Sequence, residues 1–158
     1  MNAQVKKTNQ ALPVECVWGL LCSLSAIDQE RNNISLFNII DQINIQKEFF
    51  EVDSEAKPFP FAHELVTLWR RTIDTSIDER ELLVDAEIAL IDPQGVSIQS
   101  VLTPLKFATG SRRARFRIKT DGIQLTTPGD YVYRISIVPP DGNISTLVLS
   151  IPLEVKKK

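Results

Sequence analysis

The sequence predicts an all-β protein: a two-sheet antiparallel β-sandwich of about seven or eight strands with immunoglobulin-like Greek-key connections. Three observations carry that expectation. Several segments alternate apolar and polar residues with a period of two, turns rich in Gly, Pro, Asn and Asp separate them, and no segment sustains the 3.6-residue period of a helix. A chain of 158 residues, 43% hydrophobic and 24% charged, has the size and balance of one globular domain that needs neither disulfide nor metal to hold together. Residues 13–158 are assigned to that domain, and the polar stretch 1–12 to a disordered N-terminal tail.

The first element runs from about Glu15 to Asp28, with Val, Trp, Leu, Ile and Cys on both faces, as expected of a strand covered on both sides. Gln29-Glu30-Arg31-Asn32-Asn33 is a polar turn, and a second strand over Ile34 to Ile45 completes a long hairpin. Lys47 to Pro60 reads as a loop, because Pro58 and Pro60 interrupt any ladder. A strand from Phe61 to Arg71 follows. The charged stretch Ile73 to Glu81 reads as a loop or a single helical turn.

Leu83 to Ile91 sets Val84, Ala86, Ile88 and Leu90 against Asp85 and Glu87, and Asp92-Pro93-Gln94-Gly95 turns the chain into Val96 to Leu102. Arg112 to Lys119 alternates Ala114, Phe116 and Ile118 with Arg113, Arg115, Arg117 and Lys119. Thr126 to Asp130 leads into Tyr131 to Val138, and Pro139 to Asn143 leads into a last strand, Ile144 to Val155. Tyr131 and Tyr133 share a face with Ile135 and Ile137, which favours buried rings whose hydroxyls cap at the edge.

Leu21-Cys22-Ser23 through Leu36-Phe37-Asn38-Ile39, the Ile91-Asp92-Pro93-Gln94-Gly95 turn, and Pro128-Gly129-Asp130-Tyr131-Val132-Tyr133-Arg134, in this order, resemble a family of small bacterial β-sandwich proteins with no assigned function. The resemblance spans about Glu15 to Val155. It implies a fold and brings no catalytic motif.

Chemistry is sparse. The single histidine, His63, would have to be the base of any Ser-His-Asp or Cys-His pair, and an ordinary hydrogen-bonding role at the start of a strand is the simpler expectation. Cys16 and Cys22, six residues apart on one strand, would stand roughly 20 Å apart, too far to bridge, and suit the reducing cytoplasm. One His and two separated Cys do not make a zinc site, and the acidic group Asp74, Asp78, Glu79 and Glu81 lacks the spacing of a calcium loop. No cofactor, no catalytic residue and no metal ligand is expected. Lys6 and Lys7 before the apolar run Val17 to Leu24 imitate a signal peptide, but Pro13 and Glu15 intervene and the run is short for export or a membrane span.

The most pointed feature is the row Arg113, Arg115, Arg117 and Lys119, four cations about 7 Å apart on one face of a strand. Cross-strand pairing with Asp85 and Glu87 is its plain reading, and a docking face for a protein partner is the functional one. Nucleic acid or another anion is the alternative ligand, disfavoured by a net charge of −2 and the scarcity of interleaved aromatics. The expected function is therefore a non-enzymatic protein-interaction module of the cytoplasm. It would bind a partner, or a second copy, through a sheet edge or this basic face.

Overall fold

The computed structural model describes residues 12–51, 55–72 and 80–158. Nine strands are described: β1 Val14–Asp28, β2 Asn33–Ile39, β3 Gln42–Ile45, β4 Lys57–Arg71, β5 Leu82–Ile91, β6 Ser97–Phe107, β7 Arg113–Leu125, β8 Gly129–Val138 and β9 Thr146–Lys157. They form two sheets packed as a sandwich, ordered β2-β1-β4-β7 and β3-β9-β8-β5-β6. Every pairing is antiparallel except β3 with β9. Among the described residues there is no α-helix, only a 3-10 turn at Lys47–Phe50. The stretch read as a possible helical turn falls mostly on 73–79, and the tail on 1–11; both lie outside the described residues.

The alternations assign the inner faces. Val84, Ala86, Ile88 and Leu90 of β5 and Tyr131, Tyr133, Ile135 and Ile137 of β8 are buried against Leu65 and Trp69 of β4 and Ile123 and Leu125 of β7. Trp69, 1% exposed, spends its indole N–H on Thr67 Oγ1 at 2.7 Å, so the largest core side chain leaves no unpaired donor. Removing that apolar surface from water is the main force holding the two sheets together.

Two sequence expectations need correction. The stretch Ile34 to Ile45 is two strands, because the chain changes sheets within it. Asn38 takes a left-handed φ of 51°, Ile40 N–H closes onto Leu21 O at 2.9 Å, and after Asp41 the chain pairs with β9 in the opposite sheet. Asparagine tolerates that conformation better than most residues, and it is the local signal for the break. Second, Lys57 to Pro60 is strand, paired with β7 from Lys57↔Leu125 to Pro60↔Gly122. The prolines are tolerated because β1 reaches only as far as Glu64. Pro58 and Pro60 thus sit where, among the described residues, the other side of β4 has no strand neighbour to receive an N–H.

Candidate functional site

Two places concentrate polar side chains: the outer face of the β2-β1-β4-β7 sheet, and a small cavity between the sheets.

On the outer face, strand parity sets Arg113, Arg115, Arg117 and Lys119 of β7 opposite Arg70, Leu68, Val66 and Glu64 of β4. The sequence-predicted row is therefore one row in space. Its partners are not Asp85 and Glu87, which belong to β5 in the other sheet, where Glu87 accepts the Ser100 hydroxyl at 2.9 Å. Lys119 lies 3.5 Å from the carboxylate of Glu64. Arg117 donates to Ser25 Oγ at 3.2 Å and to its carbonyl at 3.4 Å. Arg115 donates to Asn32 Oδ1 at 2.9 Å and, through its other Nη, to the Asn32 carbonyl.

Those contacts reveal the path of the β1–β2 hairpin. The last rung between β1 and β4 joins Cys22 to Glu64, whereas Arg115 stands four residues back along β7, opposite Leu68. A straight hairpin would carry Ser25 and Asn32 away from Arg115. Instead its far half leaves the plane of the sheet and crosses the outer face toward β7. Glu64 is consequently 3% exposed and Val66 0%, although both point away from the inter-sheet core.

Glu64 is the hub of this contact. It accepts the hydroxyl of Ser25 and faces Lys119. Burial pushes its carboxyl up, but the Ser25 hydrogen bond, Lys119 and Arg117 together outweigh burial and hold it below the usual range. Sequence reading missed Glu64, Ser25 and Asn32, since nothing local announces that a hairpin will fold over its own sheet.

Inside, His63 is buried rather than poised at an edge. Its Nδ1 lies 2.8 Å from Phe61 O, which can only accept, so Nδ1 carries the proton. Nε2 is then the acceptor for the Tyr133 hydroxyl at 2.9 Å. The pair borders a cavity of about 80 Å³, lined also by Gln99 and Ser100 of β6 and Thr120 of β7. That space is large enough for a few waters. Burial lowers the His63 pKa, only partly offset by the Phe61 carbonyl, and burial raises that of Tyr133.

Neither thiol stands beside His63. Cys22 pairs with Glu64 on the outward row, and Cys16 pairs with Trp69, six residues from His63 along β4. Burial pushes Cys16 up to about 11 and raises Cys22 as well, so neither is an activated nucleophile. Among the described residues no group of three or more His, Cys, Asp or Glu is arranged to hold a metal ion.

The His63 geometry has a measurable consequence. Its folded pKa lies below the 6.5 of the free group, so the unfolded chain takes up a proton first. The urea midpoint should fall as pH is lowered through 6.5, and His63→Gln should remove that part of the dependence. An unchanged profile in the variant would refute the assignment.

A third feature is apolar. Leu24 pairs with Phe37 and Cys22 with Ile39, on the outward row that also carries Trp18 and Leu20. Leu24, Phe37 and Ile39 are 51%, 48% and 64% exposed. They flank β2, whose far side has no neighbouring strand among the described residues.

No helix among the described residues is long and apolar enough to cross a membrane. No family model and no curated protein matches the chain. Among solved structures it is similar to one titled "Crystal structure of the C-terminal domain of wzt", at 12% identity and a TM-score of 0.38, covering 72% of this chain and 87% of that one.

Proposed function

We propose that this protein is a non-enzymatic interaction module of the cytoplasm that takes up an extended strand of a protein partner at the free edge of β2. The observation that carries the reading is the contrast among the four sheet ends. β7 is guarded by Arg113, Arg115, Arg117, Lys119 and Asp121, β6 contains Pro104 and Lys106, and β3 is only four residues long. β2 has seven residues with neither charge nor proline, beside an exposed apolar row. Edge strands left open in this way pair with other strands, and the apolar row would give such pairing its side-chain contacts. In this reading the basic row of β7 holds the hairpin in place, and β2 is the docking element.

An immunoglobulin-like Greek key fits the connectivity. The chain crosses between sheets from β4 to β5, from β6 to β7 and from β7 to β8, with β4 beside β7 and β5-β8-β9 adjacent in the other sheet. β3 running parallel to the last strand and the Tyr131 hydroxyl closing back onto Thr127 O at 2.6 Å support the same reading. The β1–β2 hairpin is an addition to that plan, and the large core Trp stands on β4.

Selection of peptides from a random display library tests the edge. Alternating apolar sequences should be enriched on the wild-type protein and lose binding to a Phe37→Lys/Ile39→Lys variant. Failure to enrich any peptide, or equal binding to the variant, would refute the reading.

A further inference from the structure

The geometry points to a second copy of this chain as the strand that covers β2, joining the two four-stranded sheets edge to edge about a twofold axis. This inference rests on the edge reading above and names its partner.

Charge is the first argument. From Asn33 to Ile39 no side chain is ionised, so an identical edge approaching antiparallel meets no like charge across the ladder. The chain's net charge of −2 adds little long-range repulsion between copies. An acidic or basic partner strand would find nothing on β2 to complement. The other long edges are poor candidates for self-pairing: two β7 strands would bring two cationic rows together, and Pro104 removes a ladder donor from β6.

Area is the second. Large apolar side chains present on the order of 150–200 Å² when fully open. The exposed fractions of Leu24, Phe37 and Ile39, which share one face of the hairpin, therefore leave about 300 Å² of apolar surface beside the edge, the size of patch that is often functional. Two copies would bury up to about 600 Å² of it, and paired backbone and rim add to that, at or below the roughly 1,200 Å² that marks the low end of specific interfaces. That total fits a dimer that forms and dissociates with concentration rather than a permanent one.

Sedimentation equilibrium on the full chain tests it. The apparent mass should rise from one chain toward two between low micromolar and several hundred micromolar protein. Phe37→Lys and Ile39→Lys, each at an exposed side chain, should hold the protein monomeric across the range with an unchanged circular dichroism spectrum. Leu102→Lys, at a side chain 62% exposed on β6, should dimerise like the wild type. A constant monomer mass, a dimer indifferent to the β2 substitutions, or a dimer broken by Leu102→Lys overturns the inference. A monomer that still captures alternating peptides at β2 removes the second copy alone, and a monomer that captures none removes the edge reading with it.

Discussion

Replacing Glu64 with alanine is expected to destabilise the fold by about 2–4 kcal/mol, a fall of about 1–2 M in the urea midpoint. The carboxylate is buried, accepts the Ser25 hydroxyl, and faces Lys119. Alanine leaves the buried hydroxyl of Ser25 without its acceptor and opens a hole over Val66. The full penalty of a broken buried ion pair does not apply, because Lys119 is mostly exposed and can turn to water. Most of the loss therefore comes from Ser25 and from packing. Hydrogen exchange should accelerate in β1 beyond Cys22 and in β2, since the contact that holds the far half of the hairpin has gone.

Glu64→Gln separates the two roles of the group. An amide oxygen still accepts from Ser25, so this variant should lose less than half of what alanine loses. The carboxyl is held below its ordinary 4.5 in the folded state, so its contribution is present above 4.5 and disappears as pH falls through the folded value. The glutamine variant should lack that acid limb, while keeping the separate loss below 6.5 that His63 causes. Equal destabilisation by alanine and glutamine would show that charge pairing, and not the Ser25 hydrogen bond, dominates.

The legible part of the fold was its alternation. β5 and β8 bury the residues that period two assigns to the core, the first half of β7 half-buries its Ala114, Phe116 and Ile118 against that core, and the turns at Asp92–Gly95 and Thr126–Asp130 fall where their Pro and Gly residues place them. Strand ends were less legible where the signal was a proline: whether Pro58 and Pro60 break a ladder depends on how far β1 extends, a nonlocal fact. The basic row was legible as a row but not in its partners. Parity is a property of one strand, whereas pairing needs the sheet order, and the acids that seemed available lie in the opposite sheet. Least visible was the hairpin crossing over β4. Nothing in the sequence of the hairpin marks it, because Ser25 and Asn32 look like any other polar strand and turn positions until Glu64, Arg115 and Arg117 are placed beside them.

The second large effect lies at the end of the sandwich, where Tyr131→Phe is expected to cost about 2–3 kcal/mol with the ring volume unchanged. The Tyr131 hydroxyl donates to Thr127 O at 2.6 Å and accepts from Thr126 N at 2.9 Å and Thr127 N at 3.1 Å. Thr126 Oγ1, 3.2 Å from the same hydroxyl, donates to Asp92 Oδ2 at 3.1 Å. Asp92 Oδ1 in turn accepts the backbone N–H groups of Gln94 and Val96, closing the β5–β6 turn. One phenol thus ties the turn before β8 to the turn after β5. Phenylalanine fills the same space, so no cavity term enters, and the whole loss measures polar groups left without their partner. Tyr133→Phe is the matched control. It removes one hydrogen bond, to His63 Nε2, beside a cavity wide enough for water to replace the lost donor, and should cost less than half as much. Urea unfolding of the two variants decides the matter: equal losses, or a larger one at Tyr133, would mean that the Tyr131 network is no more than the sum of replaceable turn contacts.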